Sequence, residues 1–125
     1  MILRVLVMLM MALVFAHGEE LPVIGFEDAA AHVGERVCVE GMITDVGFGP
    51  KGSVFLNFGG IYPEHAFTAL VPFPLARKSD ESSWRAYLNR VVRVSGVVKL
   101  YKDKPQIVVT APEHLVIVKR KRRRG

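Results

Sequence analysis

Two long runs rich in β-branched residues, Arg36–Val46 and Arg90–Tyr101, each carry a glycine near the middle, Gly41 and Gly96. Glycine weakens a strand interior and is kept where the strand bulges, bends or lets another group approach closely. Two strands of this length, each with such a point, predict a small, strongly curved sheet. A bent strand can serve two neighbours along its length, and both runs are expected to do so.

The segments around them complete the pattern. Phe26–Val33 is rich in helix formers and stops at Gly34, a residue suited to the left-handed cap. Gly47–Gly52 is turn chemistry, so Ser53–Phe58 is expected to pair back on Arg36–Val46. A second connection, Gly59–His65, leads to a third strand over Phe67–Val71, and Pro72 and Pro74 then end the sheet. Ser79 is placed to cap a helix over Asp80–Leu88, on which Trp84, Tyr87 and Leu88 share one face, with Trp84 expected as a plug of the core. The run Arg90–Tyr101 is the fourth strand, Lys102–Pro105 a tight turn and Gln106–Thr110 the fifth strand, while Leu115–Val118 extends the sheet or packs across it. The order β-β-β-α-β-β predicts a mainly β fold, a five-stranded Greek-key OB-fold barrel with a short leading helix and a helix between strands three and four. An immunoglobulin-like sandwich needs about seven strands and no helix at that point.

The ends of the chain differ from its middle. Arg4 in a short n-region, eleven apolar residues from Val5 to Phe15 and the small residues Ala16 and Gly18 read as a cleavable signal peptide over residues 1–18. The apolar stretch is shorter than the roughly 20 residues that span a bilayer, so an exported, periplasmic or secreted protein without a transmembrane span is expected. Residues 19–118 hold ten Lys/Arg against twelve Asp/Glu, a net of −2, and form one expected domain. Lys119, Arg120, Lys121, Arg122, Arg123 and Arg124 then place six positive charges in a row. Such a run repels itself and is expected to stay solvated until an anionic partner, a polyanion or an anionic envelope surface, neutralises it. Cys38 stands alone between Val37 and Val39 and reads as a buried thiol, and a monomer is expected.

The segments Gly34–Gly41, Phe55-Leu56-Asn57-Phe58-Gly59 with Tyr62-Pro63 and Phe67-Thr68-Ala69, and Val92-Arg93-Val94-Ser95-Gly96 with Tyr101-Lys102-Asp103-Lys104-Pro105-Gln106-Ile107, together resemble the small bacterial OB-fold proteins described as nucleic-acid-binding-like. The closing segment is shared broadly with OB domains of the anticodon-binding and single-strand-binding type. The resemblance implies an OB fold and raises nucleic acid as a ligand, without choosing the ligand.

Catalysis has no constellation to rest on. His32, His65 and His114 have no zinc-site spacing, and one cysteine adds little. Gly47-x-Gly49-x-x-Gly52 matches a dinucleotide glycine pattern in letters, but no helix follows it. Asp45 and Glu40 are isolated carboxylates, so no catalytic residue, metal or cofactor is expected. Binding chemistry is better represented. An OB fold engages ligands over its second and third strands and the loops joining strands one to two and four to five. Alternation puts Leu56 and Phe58 in the core and turns Phe55 and Asn57 the other way. Two readings of that pair stay open: an exposed face offering a stacking ring and an amide, with Tyr62 nearby, or a face covered by the leading helix. Phe48 and Lys51 belong to the first loop, and Lys99, Tyr101, Lys102 and Lys104 to the second. That second loop also reads as a solvated hairpin whose lysines guard a sheet edge. The expected function is non-catalytic binding of single-stranded nucleic acid or another polyanion; the alternative is a periplasmic or surface module for a protein, an oligosaccharide or an envelope component.

Overall fold

The computed structural model of the protein describes residues 20–118; the leader read over residues 1–18 and the basic run 119–124 lie outside the described residues. Within them the chain is mainly β. Strand β1 (Val23–Gly25) leads into a 3-10 helix (Phe26–His32), followed by β2 (Arg36–Phe48), β3 (Val54–Phe58) and β4 (Phe67–Val71). Two short helices, α1 (Phe73–Ala76) and α2 (Glu81–Arg85), precede β5 (Val91–Val97), β6 (Lys99–Tyr101) and β7 (Lys104–Val108). A 3-10 turn (Pro112–His114) and β8 (Leu115–Ile117) follow. No helix among the described residues is long and apolar enough to cross a membrane.

Strand β2 does the bending, but not at its glycine. Arg36–Met42 pairs antiparallel with Val91–Val97 of β5, and Ile43–Phe48 pairs antiparallel with β3. The register slips between Ile43 and Asp45, so Thr44 is the extra residue of a bulge, the device that kinks a strand and strengthens its twist. Gly41 has another reason to be glycine: a Cβ there would stand 2.6 Å from Cδ1 of Phe26 and 3.0 Å from Cδ2 of Phe58. Gly96 is alike, since its Cβ would stand 2.6 Å from Cγ2 of Ile107. Both glycines admit a core side chain, one of the alternatives that a mid-strand glycine offers.

The hydrogen-bonded order is β6-β7-β4-β3-β2-β5-β8, with β1 parallel to β2 at its side. The expected five-stranded barrel is thereby corrected to an open sheet of eight strands. The run read as one fourth strand is broken at Val98, whose N–H donates to the Glu35 carbonyl and whose carbonyl accepts from Gly34 N–H. With both backbone groups engaged there, β5 stays with β2 and β6 stays with β7, and the two are joined by that single residue.

The helices also depart from expectation in their bounds. The leading helix is of the 3-10 type, and Gly34 takes φ +89° after it. The second helix covers only Glu81–Arg85, and its cap is Asp80 instead of Ser79, with Oδ1 accepting from Ser83 N–H at 2.8 Å. Pro72 and Pro74 do more than end β4. They start α1, where a missing N–H costs no helical hydrogen bond. Trp84 is 7% exposed, stacks on Tyr87 at 5.3 Å and donates its Nε1–H to the Ala76 carbonyl at 2.8 Å, whereas Leu88 on the same expected face is exposed.

The core gathers Val37, Val39, Ile43, Leu56, Phe58, Phe67, Val94 and Ile107, and Cys38 is a buried free thiol beside it. Phe58 holds the middle, 6.1 Å from the Phe26 ring and edge-on to Phe67 at 5.2 Å. Phe58→Ala is expected to destabilise the protein by about 3–5 kcal/mol. Urea unfolding checks this, as a lower midpoint at unchanged slope.

Candidate binding cleft

The sheet register assigns the second face of β3. Val54, Leu56 and Phe58 are buried in the core, and Phe55 and Asn57 point to the opposite side. The leading helix packs on the core side, through Phe26 against Phe58, so it does not cover this face. Cross-strand partners share a face, and two rows follow. Asp45, Asn57, Thr68, Gln106 and Lys99 are paired in register across β2, β3, β4, β7 and β6. Gly47, Phe55, Leu70 and Val108 form the neighbouring row across β2, β3, β4 and β7. One row is polar and the other largely apolar.

A cleft of about 650 Å³ opens over these rows. Its lining takes Gly47–Pro50 and Ser53 from the end of β2 and the β2–β3 turn, Tyr62, Pro63 and His65 from the β3–β4 loop, and Tyr101, Lys102 and Lys104 from the β6–β7 hairpin. Phe55, Asn57, Thr68, Leu70 and Gln106 line it from the strands. Gly49 keeps the turn close to its neighbour, since a Cβ there would stand 2.9 Å from Cε2 of Phe55.

A chain of hydrogen bonds fixes the floor. Asn57 is only 2% exposed, donates through Nδ2 to Oδ2 of Asp45 at 2.9 Å and accepts at Oδ1 from the Thr68 hydroxyl at 2.7 Å. The same Asp45 oxygen accepts from Tyr62 N–H at 3.1 Å, which ties the β3–β4 loop to β2. Thr44, freed from the ladder by the bulge, adds a second tie: its hydroxyl donates to the Gly60 carbonyl at 2.7 Å and accepts from Gly60 N–H at 3.0 Å. A third comes from β7, where Lys104 Nζ donates to the carbonyls of Pro63 and of His65, the latter at 2.6 Å. The Tyr62–Pro63 peptide is cis.

The rim is aromatic. Tyr62 is 68% and Tyr101 56% exposed, and Phe48 is exposed with the Arg85 guanidinium 4.9 Å above its ring. Lys102 Nζ lies 5.4 Å from the centre of the Tyr101 ring. Below Tyr62, at 5.6 Å and nearly parallel, is the His65 ring, which is 9% exposed. Burial, then the charge of Lys104, hold the His65 imidazole below its ordinary pKa against an opposing pull from Asp45.

The structure thus brings together seven of the residues singled out in the sequence: Phe48, Phe55, Asn57, Tyr62, Tyr101, Lys102 and Lys104. Lys51, at the turn tip, and Lys99, on β6, lie outside the lining, and Lys119–Arg124 lie outside the described residues. Asn57 is tied up by Asp45 and Thr68, so its role in the fold is stronger than alternation suggested. Thr68, Leu70, Gln106 and His65 were not singled out for binding. The first three follow from strand register with β3 and β7, whereas His65 sits in a loop where no alternation points to a binding role. Among the described residues no group of three His, Cys, Asp or Glu side chains is placed to hold a metal ion.

No family model matches this chain. No curated protein matches it in sequence either. Among solved structures, one described as a putative aspartyl-tRNA synthetase from Leishmania major Friedlin is similar over 82% of this chain, at a TM-score of 0.54 and 9% identity. The chain spans 22% of that protein's length, and the likeness is one of fold alone.

Asn57→Leu keeps the size of the side chain but strips Thr68 and Asp45 of their partner. The expected cost is about 1–3 kcal/mol, read as a lower melting temperature. A pH effect follows from His65. Its folded pKa lies below the unfolded value, so the unfolded chain takes up the proton first and stability falls with pH. This contribution is complete above about pH 6.5 and is lost as pH drops through the folded-state value. Melting temperatures of the protein and of His65→Gln, compared across that range, are expected to converge as the solution is acidified.

Proposed function

We propose that this chain is a non-catalytic OB-fold binding module whose cleft takes a single strand of nucleic acid. The OB reading is supported by connectivity: a β2-β3-β4 meander, a helical connection to β5, β7 parallel to β4, and β5 antiparallel to β2. The observation that carries the ligand reading is the lining itself, in which Phe48, Phe55, Tyr62 and Tyr101 come from separate segments to one cleft. Aromatic faces stack on any base, and Lys102 and Lys104 at the same cleft suit a sugar-phosphate backbone. Gln106 and Thr68, on the floor, offer an amide and a hydroxyl to base edges.

One observation favours a second reading, an oligosaccharide or an envelope component. Residues 19–118 carry a net charge of −2, so the folded part repels a polyanion at long range. On the single-strand reading that repulsion is offset by the six cations of Lys119–Arg124.

The two sources of affinity separate by salt dependence. Deleting residues 119–125 removes up to six phosphate contacts and is expected to flatten the slope of log K against log salt by up to about four for a single-stranded oligonucleotide. Phe55→Ala and Tyr101→Ala in the full chain are expected to cost about 1–3 kcal/mol each at nearly unchanged slope. Should the aromatic variants bind as the parent does while the deletion abolishes binding, the cleft is not a nucleic-acid site, and neutral oligosaccharides become the ligands to assay.

A further inference from the structure

Two polar groups at one end of the cleft keep hydrogen-bonding capacity that the fold does not use. Lys104 directs Nζ to the carbonyls of Pro63 and His65, and an ammonium carries three N–H donors, so one remains. His65 is 9% exposed and lines the same cleft, and its buried Nδ1 has no hydrogen-bond partner. Native proteins rarely leave such an atom unpaired, because the lost hydration is not made good. Elsewhere in the cleft the buried polar atoms are matched: Asn57 has both Asp45 and Thr68. The groups whose charge acts on His65 are Lys104 of β7 and Asp45 of β2, and Tyr62 of its own loop stacks over its ring.

We propose that Lys104 and His65 form a phosphate subsite at that end of the cleft, where the ammonium and a protonated imidazole both donate to one phosphodiester of the bound strand. This rests on the single-strand reading above. Tyr62, the most exposed of the rim aromatics, stacks on the His65 ring at 5.6 Å and so borders the subsite.

Binding is then linked to uptake of a proton from solvent. In the free protein His65 is neutral near pH 7, held so by burial and by Lys104. A phosphate placed between the two groups offsets Lys104 and favours the imidazolium, which raises the His65 pKa in the complex. Affinity therefore climbs as pH falls through the bound-state value and levels off below the free-state value, tenfold for each unit between them.

The test uses the full chain and a thymidylate oligomer, whose bases do not titrate in the range where histidine does. The His65 pKa is read by NMR with and without saturating oligomer, and the dissociation constant is followed from about pH 7.5 to about pH 5. The expected result is a raised His65 pKa and an affinity gain of about tenfold on acidification. A methylphosphonate oligomer, with an uncharged backbone, is expected to produce neither effect, and His65→Gln to bind with a flat pH profile. If the oligomer binds in a Tyr101→Ala-sensitive manner while the His65 pKa stays where it was, the subsite is wrong and the single-strand reading survives. If no Tyr101→Ala-sensitive binding occurs at any pH, both fall. The NMR reading is made on the unsubstituted protein, so it decides the matter even if His65→Gln does not fold.

Discussion

The structure depends on β2 changing partners. Strand β2 is thirteen residues long and does not keep the same neighbours along its whole length. Instead its first half belongs to β5 and its second half to β3, and the handover occurs where Thr44 leaves the ladder. The residue released from backbone pairing is one whose hydroxyl can donate and accept. It uses both capacities on Gly60. The kink that curves the sheet therefore also fixes the base of the β3–β4 loop, and with it the wall that carries Tyr62 and His65. Fold and site thus share this irregularity, which adds to the ties from Asp45 and Lys104 to the same loop.

From that wall inward the cleft is organised by depth. Its floor is a hydrogen-bonded row, in which Asp45, Asn57 and Thr68 leave one another little rotational freedom. Its rim is aromatic and exposed. A buried polar row rewards one geometry sharply, because a shift of any member strands the others. Exposed rings reward area and tolerate many partners. On the single-strand reading, a base would be held loosely by its face and judged more strictly at its edges, by groups of the lining such as Gln106.

Much of this was legible in the sequence, and what was not has physical reasons. Strict alternation in Val54–Phe58 turned Phe55 and Asn57 away from the core, because a strand with one buried face has little choice of register, but left open whether that second face was exposed or covered. The glycines misled over position. Gly41 and Gly96 answer to ring and methyl contacts from Phe26, Phe58 and Ile107, partners distant in sequence, whereas the bulge fell on Thr44, a good strand former. The break at Val98 was hidden for the same reason, since it is imposed by hydrogen bonds to Gly34 and Glu35. Pro72 and Pro74 were read as breakers, yet proline is equally at home in a first helical turn. Lys99 and Gln106 are partners across β6 and β7, but the lining takes only Gln106, a choice that depends on side-chain reach and not on alternation.

The remaining tension concerns Lys104. Its ammonium is the third anchor of the β3–β4 loop, so the fold has a claim on the same charge that a ligand would seek. Carbonyl oxygens are dipoles, and contacts with them leave the ion's net charge in place. Fixing the side chain also removes rotamer entropy before any ligand arrives, which lowers the cost of a later contact. A lysine free in solvent, as on a turn tip, attracts at long range but must be ordered on binding. The two kinds of cation are therefore unequal. On the single-strand reading, Lys104 would contribute direction, and the six cations of the run 119–124 a reach that salt screens away. On the single-strand reading, a net-negative domain with one anchored cation in its cleft would suit holding a strand already delivered to its surface better than capturing one from a distance.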